Sequence, residues 1–206
     1  NRLPHSELPS VDAIGWLAKR TLQFLKGLKQ KGMLFTVVST EDLLIWSEQF
    51  HKALSRLKKH QQEKGSIYVK KHNDTFITLF HNYPGETWMD TIYNDDGRVG
   101  YRVEIQALSL CIYEVLLEIE SLLSHDITSL SKEREAFVSF VRDVFVDTSS
   151  KGILLDGRNE EGEADYALRP NVLLSYYIAP TLFSSNHWKK AFTEHVQQLF
   201  IPWGGL

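Results

Sequence analysis

Cysteine is almost missing from this 206-residue chain: Cys111 stands alone, which excludes an intrachain disulfide and a zinc site built on several thiolates. Long apolar runs are missing too. No stretch approaches the ~20 residues that span a bilayer, and the opening Asn-Arg-Leu-Pro-His lacks a secretion-signal pattern. A cytoplasmic protein with no membrane contact is therefore expected. Basic residues are not in excess, with 23 basic against 26 acidic residues, a formal net charge of −3 and a pI near 6.3, so there is no basic field for nucleic acid. No Gly-rich phosphate loop, His-Glu-x-x-His pair or Gly-x-Ser-x-Gly turn occurs, and the 8 histidines are scattered without ligand spacing. Neither a metal nor a cofactor is expected. Asp156 to Asp165 carries five acids but not the calcium-loop spacing, and reads as a solvated acidic loop.

What is present is apolar periodicity. Ile14, Leu17, Ala18, Leu22, Leu25 and Leu28 recur every three or four positions and predict a helix over Val11 to Lys31, with Ser10 as a possible N-cap and Gly32 as its stop. A second helix is predicted over Thr40 to Lys64, closed by Gly65. Ser66 to Lys70 and Thr75 to His81, rich in β-formers around Asn73-Asp74, predict a short hairpin. Val103 to His125 is apolar enough to be a central helix. Lys132 to Val146, Pro170 to Leu182 and Asn186 to Phe200 complete a set of six, with Pro170 suited to a first helical position and Pro180 set to kink or end its helix. Six helices joined by loops suggest helical hairpins around a common core in one domain, 1–206.

Function is expected in the long polar connections 82–102 and 147–169, because loops on a rigid scaffold commonly carry binding groups. Gly85-Glu-Thr-Trp-Met-Asp-Thr91, followed by Gly100-Tyr-Arg-Val-Glu-Ile105, packs an aromatic and acids together. Trp88 offers a flat apolar face to a pyranose ring, and Asp90 and Glu104 can bind hydroxyls or move protons. The structural alternative is a half-buried Trp88 and a capping Asp90. Asp12 likewise reads as a hydroxyl acceptor or a residue of a helix's first turn. Glu104 reads as a hydroxyl binder or a carboxylate favoured by the helix dipole. Arg169 and Asn171 either bind hydroxyls or tie the preceding loop to the scaffold.

His81-Asn-Tyr-Pro-Gly-Glu-Thr-Trp-Met-Asp90, with Val103-Glu-Ile-Gln-Ala-Leu108 after it, resembles the amylo-α-1,6-glucosidase domain of glycogen debranching enzymes. Asp12-Ala13-Ile-Gly-Trp16 is similar to the family's Asp-Ala-x-x-Trp helix opening, and Leu168-Arg-Pro-Asn171 to its Leu/Ile-Arg-Pro-Asn motif, with Ala179-Pro180 downstream. Four motifs in order cover most of the chain. The resemblance implies an all-α fold, part of an (α/α)6 toroid carrying the short β-hairpin as an insertion near the active-site loop. It also implies inverting hydrolysis of an α-1,6-linked glucose stub on a glucan. Asp90 is then the general acid, with Asp12, Trp16, Trp88, Glu104, Arg169 and Asn171 lining the subsite. An inverting enzyme needs a second carboxylate roughly 6.5 to 9.5 Å from the first, and the family's Glu-bearing segment for that role is not among these residues. The expectation is a slice of a larger catalytic domain, partnered by its remainder. A non-catalytic carbohydrate-binding or scaffold fragment, and another toroid glycosidase of trehalase or mannosidase type, are the alternatives. Tyr101-Arg102 and Ser109-Leu110 depart from the family's usual residues and leave the substrate open.

Overall fold

The most apolar helical stretch of the chain becomes its axis. A computed structural model describes residues 11–72, 75–83, 86–87, 98–149 and 152–201. In chain order the elements are helices α1 (Ala13–Gln30), α2 (Leu34–Val37) and α3 (Thr40–Glu63), then strands β1 (Val69–His72), β2 (Thr75–Thr78), β3 (His81–Asn82) and β4 (Gly100–Arg102). Helices α4 (Val103–Leu122) and α5 (Thr128–Phe145) follow, then strands β5 (Val146–Asp147), β6 (Ile153–Leu154), β7 (Gly157–Arg158) and β8 (Ala164–Asp165). Helices α6 (Asn171–Ile178) and α7 (Ser185–Leu199) complete the described chain. Of the 20 residues of α4, 15 are buried, so it is covered on nearly every side, as its all-round apolar sequence requires.

Three helices run in the same direction. Gly15 of α1 packs on Leu108 of α4, and fourteen residues further along Lys29 reaches Glu118 at 3.0 Å, so α1 and α4 are parallel. The start of α6 lies beside the start of α4, and Ile178 at its end takes the Cys111 thiol on its carbonyl at 3.6 Å. Lys19 of α1 donates to the last α6 carbonyls, Tyr177 O at 2.8 Å and Ile178 O at 2.7 Å, acceptors that have no partner inside the helix. Helices α3 and α5 run the other way. Ser47 of α3 bonds Glu120 near the end of α4, and Gln61 bonds the His81 backbone near its start. Tyr113 donates to Glu133 in the first half of α5, while the end of α5 lies beside Leu155.

The expected helices are present, with shifts that have local causes. Helix α5 begins four residues earlier than its apolar spacing indicates, because Asp126 accepts the Thr128 N–H at 2.9 Å and supports a polar first turn. Helix α6 stops at Ile178, two residues before Pro180, and Pro170 sits at its N-cap rather than inside it. The short α2 was not expected. The hairpin is found as the antiparallel pair β1–β2, in which Val69 faces Thr78. A second, unforeseen antiparallel sheet has strand order β3-β4-β7-β8. Its strands of two or three residues are too short to carry an alternating pattern. Gly100 allows β4 and β7 to meet: its φ is +118°, and a Cβ there would lie 2.2 Å from the Arg158 carbonyl oxygen. The fold is thus mostly helical with small antiparallel sheets at one end of the layer.

Candidate active site

The parallel course of α1, α4 and α6 brings their amino-terminal ends to one side, and the small sheet lies there too. Asp12 precedes α1, Glu104 is in the first turn of α4, and Asn171 opens α6. Unpaired backbone N–H groups and aligned peptide dipoles make such ends favourable for carboxylates and for the oxygens of a polar ligand.

Arg98 is the centre of this region. Its guanidinium donates to Glu104 from Nη1 at 2.7 Å and to Asp156 from Nη2 at 2.9 Å. The amide oxygen of Asn171, in the orientation those donors require, accepts from the same group at 2.8 and 3.1 Å. Asp156 also accepts from Arg169 at 2.8 Å. Arg169 reaches Asp165 at 2.8 Å, and Asp165 accepts from Arg102 at 2.7 Å. Three guanidinium groups and three carboxylates therefore neutralise one another. Glu104 and Asp156 have side chains that are 0% exposed; isolated charges at that depth would cost several kcal/mol each. Burial pushes the Glu104 carboxyl above its ordinary range, with Arg98 opposing the rise. For Arg98 the pull of burial is outweighed by Glu104 and Asp156, which hold its guanidinium above the usual value. Burial would raise Asp165 as well, but the Ala167 N–H, Arg169 and Arg102 bring it below the ordinary range.

The backbone is tied in with the side chains. Asp156 O accepts the Val103 N–H at 3.0 Å and so satisfies an otherwise unpaired donor at the start of α4. Arg98 has φ +47°, an uncommon conformation for a residue with a side chain. Its carbonyl is fixed by the Asn82 amide at 2.8 Å and by Arg102 Nε at 3.1 Å. Asn82 and Arg98 thereby join the two sides of the 83–97 connection at its base.

The expected residues fall into three groups. Glu104, Arg169 and Asn171 come together through Arg98 and Asp156. Glu104 is sealed, with Arg98 also approaching its second oxygen at 3.4 Å, whereas the Arg169 side chain keeps a quarter of its surface in solvent. Asp12 and Trp16 stand on the neighbouring helix at the same end. Asp12 is buried and makes no side-chain cap bond to α1, and Trp16, half-buried, packs on the core. Trp88 and Asp90 lie outside the described residues.

The solvated reading of the acidic loop is corrected. Asp156 and Asp165 turn inward onto Arg98, Arg102 and Arg169, and only the intervening turn carries exposed acids. Arg98 was not singled out from the sequence, Arg102 only as a departure from the family's usual residues, and Asp156 only as the start of the acidic loop. The one available signal was Arg102, a charge between Tyr101 and Val103 in a segment that had to enter a buried helix. Among the described residues no group of three or more His, Cys, Asp or Glu side chains is placed to hold a metal ion, and no helix is long and apolar enough to cross a membrane.

Residues 7–205 match the model of the amylo-alpha-1,6-glucosidase family. The chain belongs to that family. Comparison with curated proteins and with solved structures gave no match. Family membership covers nearly the whole chain, so the cluster around Arg98 and the motif-bearing starts of α1, α4 and α6 all lie inside the amylo-alpha-1,6-glucosidase region.

Proposed function

We propose that this chain forms part of the sugar-cleaving site of a cytoplasmic glycoside hydrolase that removes α-1,6-linked glucose from a debranched glucan, with inversion at the anomeric carbon. Asp90 is the general acid in this reading, and Trp88, Asp12 and Trp16 line the glucose subsite. Glu104, Arg169 and Asn171 form its polar floor, with Arg169 at the open edge. The helices are one part of an (α/α)6 toroid whose sugar lies at the amino-terminal ends of α1, α4 and α6.

The observation that supports this reading is the convergence of three motif-bearing helix starts, those of Asp12, Glu104 and Asn171, at one end of a parallel layer. An inverting glycosidase also needs a base carboxylate facing a water. Here that base is a different carboxylate from Glu104 and Asp156, because guanidinium groups hold both.

The test uses the full-length protein that carries this chain and a limit dextrin with single-glucose α-1,6 stubs. Release of glucose, first seen as the β-anomer by NMR, is expected. Asp90→Asn should lower kcat by about 10²–10⁴-fold, the usual contribution of a positioned acid. Release of the α-anomer would overturn inversion, and an active Asp90→Asn enzyme would overturn the assignment of the acid. Binding of dextrin without turnover in the wild type would leave a carbohydrate-binding role instead.

A further inference from the structure

We propose that Arg98, which no motif of the chain singles out, is a positioning residue for the glycosidase reaction: one guanidinium sets the Glu104 carboxylate and the Asn171 carboxamide relative to each other. This rests on the reading of the helix starts as the sugar site. Glu104 and Asn171 belong to different helices, 67 positions apart in sequence, and nothing local fixes their separation. Arg98 does so by donating to both, at 2.7 Å to Glu104 and at 2.8 and 3.1 Å to Asn171. Asp156 holds the same guanidinium from behind at 2.9 Å, so the fork is braced on three sides and cannot swing. Planarity matters here. A guanidinium presents several donors in fixed directions, whereas an ammonium is a point charge on a flexible stem.

The backbone carries the same message. Arg98 keeps φ +47°, a conformation of the kind that persists only where the surroundings over-determine it. Two donors on its carbonyl, from Asn82 and Arg102, supply that constraint. A residue meant only to neutralise buried acids would not need its own main chain locked at both hydrogen-bonding and torsional levels.

The experiment measures kcat and KM separately on limit dextrin for the full-length wild type, Arg98→Lys, Glu104→Gln, the double variant and Asp90→Asn. Thermal midpoints are recorded for all five. Arg98→Lys keeps the charge and loses the fork. It should fold, with kcat lowered by about 10- to 100-fold, the scale of a small misplacement in a site, and KM changed by less than about 3-fold. Glu104→Gln should lose a similar factor, and the double variant should lose little more than either, because both changes release the same contact. A kcat within about 3-fold of wild type in folded Arg98→Lys would overturn the positioning role, as would losses that multiply in the double variant. If Arg98→Lys does not fold, Glu104→Gln decides: unchanged kcat in that variant overturns the proposal. Failure of the underlying reading is separate, since it appears as an inactive wild type or an active Asp90→Asn.

Discussion

Gly15 of α1 lies so close to Leu108 of α4 that a Cβ built on it would sit 2.5 Å from the Leu108 Cβ and 2.9 Å from its carbonyl oxygen. The obstructing atoms are backbone or next to it and cannot move aside alone. This contact lets two parallel helices approach at the end where Asp12 and Glu104 lie, so a glycine in the first turn of α1 is the condition for that close approach. Gly15→Ala should destabilise the protein by about 1–3 kcal/mol through overpacking, even though alanine is intrinsically better in a helix by about 1 kcal/mol. Gly27, in the same helix, has open space where its Cβ would be, and Gly27→Ala should stabilise by about 0.5–1 kcal/mol. Opposite shifts of the denaturation midpoint for the two variants are the expected result. Equal shifts would show that propensity, not packing, governs α1.

The two inward-facing acids of the 156–165 loop should differ sharply. Asp156→Asn leaves Arg98 and Arg169 facing a neutral amide in a sealed site and should cost about 3–5 kcal/mol, the usual result of removing one partner from a buried ion pair. Asp165 has a side chain 24% exposed, so water can solvate what its removal uncovers, and Asp165→Asn should cost about 1–2 kcal/mol. Urea unfolding of the two variants measures the difference. A larger loss for Asp165→Asn would contradict the central place of Asp156.

His81 should make stability depend on pH just below neutrality. Burial pushes its imidazole below the ordinary value of 6.5, despite Glu160 at 3.5 Å. The unfolded chain then takes up a proton more readily than the folded one. The stabilising contribution is present above about pH 6.5 and is lost as pH falls through the depressed folded value. His81→Phe should flatten this part of the urea-midpoint profile, while the Gln61 bonds, made to the His81 backbone, remain. A second loss belongs to Asp165, whose carboxyl lies below its ordinary 3.8. Its contribution is present above that pH and disappears in stronger acid. An unchanged slope between pH 5 and 7 in His81→Phe would show that burial of the imidazole is not what titrates.

Helix α3 depends on a reciprocal cap. Ser39 accepts the Asp42 N–H at 3.1 Å, and Asp42 accepts the Ser39 N–H at 2.9 Å. Ser39→Ala should cost about 1 kcal/mol, read as a lower thermal midpoint with unchanged kinetics. A change in kcat would mean that the start of α3 reaches the proposed sugar site.

Much of the secondary structure was legible because its causes are local. The apolar spacing of Leu43, Phe50, Leu54 and Leu57 marks the buried face of α3, and the unbroken apolar run of α4 announces a helix covered on all sides. Pro180 and Gly32 act within a few residues of where they stand. The sheet β3-β4-β7-β8 was not legible, since two-residue strands have no period and their pairing joins segments far apart in the chain. Arg98 was hidden for a related reason: in Asn94-Asp-Asp-Gly-Arg98 it looks like one more charge in a polar loop.

The sequence by itself determined the six longer helices, the hairpin, the family and the motifs at Asp12, Asp90, Glu104 and Arg169 to Asn171, because periodicity, caps and motif order are properties of neighbouring residues. Only the tertiary structure decided that α1, α4 and α6 start on the same side and that Arg98 and Asp156, 58 residues apart, meet beneath those starts. Buried charges must find opposite charges wherever the chain brings them, and at that separation the choice of partner is made by packing, not by local sequence.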